Sequence, residues 1–333
     1  MGKELHKIVR NTLKFLIPLG CGILIFWLLY RKLDVERFIA ILSEIKYGWI
    51  ILGMAVGVAS HIVRALRWRL QVQALGQNVP VRTVTNAIFG TYAMNLLFPR
   101  IGEIWRCSYV ARREGMSFTM LLGSVVSDRL MDSVAVAFLI TAVLVLQMNV
   151  LLDFLAQYPV IEETAVSLVT SPYLYLSAAV AAGVIVWLFR QKSDYRWIAR
   201  IRDTARNLWE GIRTVFTMEH KMRFIAYTIL LWFCYYLQLY LCMFAFAETA
   251  PLGALAALSL FVMGSIGMGI PVQGGFGPWH LAIIATLHIY GVTDTDAARS
   301  FALIAHGSQM VVIVLLGIYT FFSISFEKKR AKE

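Results

Sequence analysis

The chain has 333 residues, of which 59% are hydrophobic and only 15% charged, and its mean hydropathy is +0.68. These values exclude an ordinary soluble domain and place the chain among polytopic membrane proteins built from helices rather than from a β-barrel of alternating ten-residue strands. The net charge of +11 is assigned to basic loops facing anionic lipid, not to nucleic-acid binding.

A basic N-terminus leads into the apolar run Phe15 to Tyr30 with no small-residue cleavage motif, so it reads as an uncleaved first span. Position 6 is His6 rather than Ser or Thr, which speaks against myristoylation of Gly2. Six full spans are expected, at 13–30, 47–64, 118–148, 172–189, 224–246 and 300–324. Two further apolar regions, 83–98 and 254–291, are interrupted by Pro and Gly. Asp194 to Met218 reads as a basic amphipathic helix. Trp197, Ile201, Leu208, Trp209, Ile212 and Phe216 form its apolar face, and arginines populate the rest.

Charge placement gives an orientation. Residues 64–113 carry eight Lys or Arg, residues 190–223 carry nine and the tail carries four, whereas 149–171 has none and 247–299 has only Arg299. Both termini are therefore expected in the cytoplasm. The loop 31–46, with Arg31, Lys32, Arg37 and Lys46 on the opposite side, is the exception. In this scheme 83–98 starts and ends inside, and 254–291 starts and ends outside. Each is expected to be a re-entrant hairpin, entering from opposite faces. The fold class is thus all-α, a single transmembrane domain over 1–333 with about six spans and two re-entrant hairpins. An inverted repeat is a hypothesis here, because the halves do not align residue by residue.

The chemistry concentrates at the breaks and at buried charge. The run Asn95-Leu96-Leu97-Phe98-Pro99-Arg100-Ile101-Gly102-Glu103-Ile104-Trp105-Arg106 stops an apolar helix with Pro99 and Gly102, beside three charges. Irregular backbone persists at membrane depth only inside protein or along a wet cavity. Asp128 and Asp132 lie one helical turn apart within the third span with Arg129 adjacent, where an unpaired charge costs a few kcal/mol. Structural pairing, for example with Arg100 or Arg106, and substrate contact are equally open readings for them. Arg64 and Arg67 lie on the apolar side of the second span's end and suit a phosphate or carboxylate, whereas Arg69 suits snorkelling to headgroups.

The second break, Pro271 to Pro278, holds Gly274, Gly275 and Gly277, and has neither the spacing nor the context of a nucleotide phosphate loop. The helix after it is expected to aim its N-terminal amides at the interior as an anion site. His280 sits on that first turn. It shares no recognisable face with His61 or His306, and each histidine taken singly reads as a hydrogen-bonded helix residue rather than a metal ligand. Cys21, Cys107, Cys234 and Cys242 form no C-x-x-C pair. No nucleophile motif appears, and no catalytic residue, metal site or cofactor is expected.

Taken in order, Arg64-x-x-Arg67-Trp68-Arg69, Gly90 through Asn95-x-x-x-Pro99-x-x-Gly102-Glu103-x-x-Arg106, Asp128-Arg129-x-x-Asp132 and Pro271-x-x-Gly274-Gly275-x-Gly277 resemble the flippase-like membrane family that includes the transmembrane region of lysylphosphatidylglycerol synthases. The resemblance runs over about 13–323. It implies a lipid-translocating or lipid-linked function, for an aminoacylated phospholipid or a polyprenyl-phosphate-linked sugar. Many members have Glu where this chain has Asp128 and where His280 stands, which sets aside a carboxylate role at position 280. The synthases' cytoplasmic aminoacyl-transferase domain does not follow the last span, so this chain is not expected to make lysyl-phosphatidylglycerol.

The resulting expectation is an inner-membrane protein that moves an anionic phospholipid or polyprenyl-phosphate lipid between leaflets, and not an enzyme. Arg64, Arg67, Arg100 and Arg106 would engage phosphate. Glu103, Asp128 and Asp132 would position them or bind a cationic headgroup, and Asn95, Arg129, Gly274, Gly275 and His280 would complete the site. Two rival expectations are an accessory scaffold for a membrane glycosyltransferase, as partner, and an integral-membrane lipid transferase using Glu103, Asp128 or His280 as general base. The sequence is compatible with an oligomer.

Overall fold

The computed structural model describes residues 19–98, 100–150 and 218–330, together with isolated positions between 151 and 217. Among the described residues the chain is helical, with no strand. The helices are α1 (Leu19–Tyr30), α2 (Val35–Glu44), α3 (Tyr47–Gln73), α4 (Val81–Leu97), α5 (Ile101–Glu114), α6 (Phe118–Leu146), α7 (Lys221–Met243), α8 (Gly253–Gly269), α9 (Pro278–Ile289) and α10 (Thr295–Arg330). Among the described residues five stretches are long and apolar enough to cross a membrane: α3, α6, α7, Ala250–Gly269 and Thr295–Phe326. This is an all-α, multi-pass membrane protein. The expected spans at 47–64, 118–148, 224–246 and 300–324 coincide with α3, α6, α7 and α10. The span at 172–189 and the amphipathic helix at 194–218 lie largely outside the described residues, as does Pro99.

Both interrupted regions fold back on themselves. The first break leaves α4 and α5 as antiparallel limbs of roughly 25 and 21 Å. At their open end Thr83 Oγ1 donates to Glu114 Oε1 at 3.0 Å. At the tip the Gly102 N–H donates to Asn95 Oδ1 at 2.8 Å. Gly102 sits directly on the Thr91 carbonyl, so any Cβ there would collide with backbone. The second hairpin pairs α8 with α9. A Cβ at Gly267 would lie 2.9 Å from the Pro278 carbonyl oxygen. The two hairpins differ in one respect from expectation: with its preceding turn, the first limb of the second is long enough to span a bilayer by length and composition alone.

Two apolar clusters hold the helices. One gathers Leu260, Ile283, Leu287 and Phe301 with the start of α3 and the end of α7. The other gathers Ala65, Trp68, Ile88, Cys107 and Leu121 from α3, α4, α5 and α6. In its second half α6 turns Val134, Phe138, Val145 and Leu146 outward, as a lipid-facing surface requires. The basic loop 31–46 folds as α2, capped by Asp34. Its Arg37 pairs with Asp294 at 3.1 Å and Arg31 lies over the Trp27 ring, so two of its four basic residues are locally engaged.

Arg100, at the tip of the first hairpin, has φ 61 and ψ 9, the left-handed conformation that disfavours any side chain with a Cβ. Arg100→Gly is expected to raise the stability of the detergent-extracted protein by about 1 kcal/mol; an unchanged or lowered melting temperature would show that the side chain's own contacts outweigh the backbone strain.

Candidate functional site

Helical periodicity puts Arg64, Arg67, Trp68 and Gln71 on one stripe of α3, and Ser124, Asp128 and Asp132 on one stripe of α6. All seven are buried. Where the stripes meet, each arginine bridges both aspartates. Arg67 Nη2 donates to Asp128 Oδ1 at 2.6 Å and to Asp132 Oδ1 at 2.7 Å. Arg64 donates through Nη1 to Asp128 Oδ2 at 3.3 Å and through Nη2 to Asp132 Oδ2 at 2.9 Å. The anchoring bond beside this square is Trp68 Nε1–H to Ser124 Oγ at 3.0 Å.

The first hairpin completes the network. α5 brings Arg106, also buried, to 3.5 Å from Asp128 Oδ2, with its guanidinium over the Trp68 ring at 4.7 Å. One turn earlier, Glu103 pairs closely with Arg129 and accepts from Asn95 Nδ2 at 3.3 Å. Arg129 is 43% exposed and reaches Asp132 at 3.7 Å, so the Glu103–Arg129 pair forms the rim and the α3–α6 square the floor. Four guanidinium groups meet three carboxylates, which leaves one positive charge in excess. Arg67 Nε and Nη1 and Arg106 Nε have no hydrogen-bond partner among the described residues.

Aromatic hydroxyls extend the network on the far side. Arg64 Nε donates to the Tyr235 hydroxyl at 3.1 Å, which shares a 3.2 Å hydrogen bond with the Tyr92 hydroxyl. His61, one turn before Arg64, lies tilted against the Tyr92 ring at 4.3 Å. Tyr92 and Tyr235 are not singled out by the sequence, and His61 reads there only as a hydrogen-bonded helix residue. The spacing of His61 and Tyr92 from Arg64 and Asn95 on their own helices was a usable signal; Tyr235 offered none.

Of the twelve candidate residues, eight come together here: Arg64, Arg67, Asn95, Glu103, Arg106, Asp128, Arg129 and Asp132. Three others lie where the hairpin tips meet. Arg100 is exposed and donates to the Gly269 carbonyl at 3.4 Å, at the C-terminal end of α8, and so takes no part in the square. Gly274 and Gly275 form the second tip with φ 58 and 75, and Leu96 lies beside Gly274. His280 stands apart in a box of aromatic rings. Its Nδ1 accepts from the Gly277 N–H at 3.4 Å, and the next residue is Pro278. The Gly277 N–H at the start of α9 is thereby taken by the helix's own third residue, and Pro278 has no N–H to offer.

Breaking a buried pair leaves the remaining partners uncompensated, at a cost of roughly 3–5 kcal/mol, whereas exposed pairs contribute about 1 kcal/mol or less. Asp128→Asn should therefore strongly lower the thermal stability of the purified protein, and Arg129→Ala should lower it little. Equal losses would remove the distinction between floor and rim.

The comparisons with known proteins give one match. The family model described as the lysylphosphatidylglycerol synthase TM region matches residues 13–317. No curated protein and no solved structure matches the chain.

Proposed function

From the premise that the chain belongs to the family of the lysylphosphatidylglycerol synthase transmembrane region, whose name ties it to membrane lipids, we propose that it moves an anionic lipid between the leaflets of the bacterial inner membrane. The observation that carries this reading is the buried surplus of guanidinium charge, with unpartnered N–H groups on Arg67 and Arg106, next to a rim pair that can part. A phosphate headgroup supplies what that floor lacks: one negative charge and acceptor oxygens, two of which at a time match the fork of a guanidinium. It enters by displacing Glu103 from Arg129. The acyl or polyprenyl tail stays in lipid, so only the headgroup is desolvated, and charge-assisted hydrogen bonds offset that penalty.

The loop charges favour both termini in the cytoplasm. The α4–α5 hairpin then enters from the inner face and the α8–α9 hairpin from the outer face. The contacts of Arg100 with Gly269 and of Leu96 with Gly274 support tips that meet near the midplane, as broken helices do around transporter sites. The reading entails no chemical change in the lipid. A phospholipid such as phosphatidylglycerol and a polyprenyl phosphate present the same headgroup chemistry to this site.

Reconstitution decides the matter. Vesicles containing the protein should invert labelled phosphatidylglycerol or polyprenyl phosphate faster than labelled phosphatidylcholine. Arg106→Gln should lower that rate by about tenfold, as expected for one lost charge-assisted hydrogen bond. No acceleration for any anionic lipid would sink the proposal, and recovery of a chemically altered lipid, abolished by Glu103→Gln, would establish a transferase instead. Loss of cell phenotype on removing the protein, unaffected by Arg106→Gln and Glu103→Gln, would point to the scaffold role beside a glycosyltransferase.

A further inference from the structure

A second buried polar group lies outside the arginine–aspartate network. His280, on the first turn of α9, and His306, roughly 16 Å along α10 from its start, are both fully buried, with ring centres 4.7 Å apart. Trp279 stacks on His306 at 4.8 Å, Phe276 lies 4.9 Å from it, and Phe26 of α1 packs edge-on against His280 at 5.4 Å. Among the described residues His280 Nε2 and both amide atoms of the neighbouring buried Gln273 lack any hydrogen-bond partner. His306 has the Gly274 backbone beside one ring nitrogen and no partner at the other.

Four unpartnered polar atoms in one apolar box are expensive, at about 1–3 kcal/mol each. Apolar residues of similar size would hold these helices together better, so stability does not account for them. Imidazole is the side chain whose lone pair takes up a proton near neutral pH. The groups facing the pair bear little charge. α1 contributes Tyr30, its ring 5.6 Å from His280 and its hydroxyl donating to the Arg299 carbonyl of α10, with the Arg299 guanidinium acting on Tyr30. The turn before α9 contributes Gln273 and the Gly274 backbone, which are uncharged. The nearest titratable neighbour of each histidine is the other.

Proton uptake here is mechanically connected to the second tip. Neutral His280 accepts from the Gly277 N–H at Nδ1 and so carries its own proton on Nε2. Neutral His306 keeps one free lone pair, which a proton can take with no bond broken. A proton placed on His280 must go to Nδ1 and expels the Gly277 N–H. Gly277 has φ 93 and sits against the Gly22 carbonyl and Ile25 of α1, so that displacement moves the tip that abuts Leu96 of the first hairpin.

We propose that the His280–His306 pair is a proton-binding site whose occupancy sets the position of the second hairpin tip, making the proton the ion that drives headgroup movement. This rests on the translocation reading, and two readouts separate the two. The first needs no lipid transport: a protonated imidazole stacked on Trp279 quenches its emission, so fluorescence should fall as the pH is lowered. That change should vanish in His306→Gln and in Trp279→Phe. The second is the steady-state ratio of labelled phosphatidylglycerol between leaflets, expected to shift by about tenfold per unit of imposed pH difference for one proton per lipid. His306→Gln and His280→Asn, whose Oδ1 can replace Nδ1 as acceptor for Gly277, should both abolish the shift. Fluorescence titration without any lipid inversion supports the proton site and removes the translocation reading. Lipid inversion with no titration and no pH-driven asymmetry, or asymmetry undiminished in both variants, overturns the site.

Discussion

Two arginines on α3 each hold two aspartates on α6, and the rest of the interior is arranged around that fourfold contact. Removing four charges from solvent is unfavourable unless each is paired and hydrogen-bonded. The square meets that demand only if α3 and α6 keep one relative rotation and one register. A slip by a single residue would turn Arg67 away from both carboxylates and leave it uncompensated. The square therefore contributes specificity of packing more than stability. Trp68 and Ser124 fix the same register by a neutral hydrogen bond one turn away.

The first hairpin is constrained by this floor from one side and by close backbone approach on the other. Gly102 allows α5 to lie against the Thr91 carbonyl, which brings Arg106 within reach of Asp128 while Glu103 faces the rim. A larger residue at position 102 would push α5 outward and pull the fourth guanidinium off the network. Packing geometry here decides electrostatics: the excess positive charge exists inside the protein because one glycine lets a helix approach closely enough.

Much of this was legible in the sequence, for identifiable reasons. Helix periodicity pairs Asp128 with Asp132 and Arg64 with Arg67, and a buried charge demands an opposite one. Those two facts foretell that the acids are paired, but the partners expected were Arg100 or Arg106, of which only Arg106 reaches Asp128, while Arg64 and Arg67 bridge both acids. The glycines after Pro271 mark the second break because few residues tolerate the positive φ found there. Gly102 instead lies within α5 and is required by its contact with the Thr91 carbonyl. Other parts were opaque. Tyr235 reaches Arg64 from α7, far along the chain, and nothing in the spacing of either helix announces the meeting. The His280–His306 contact was missed for the same reason: it joins two helices across a turn, and face-sharing along one helix cannot reveal it. Arg100 misled in another way. Its charge suggested the phosphate site, whereas the left-handed backbone at the hairpin tip directs it to the end of α8.

The α4–α5 hairpin is riveted at both extremities, by Asn95 to Gly102 near the tip and by Thr83 to Glu114 at the base. Two limbs fastened in this way cannot slide past one another, so the hairpin is one rigid body: what holds its base, where Asn86 donates to Ser323 at 2.9 Å, also fixes where its tip stands among the other helices.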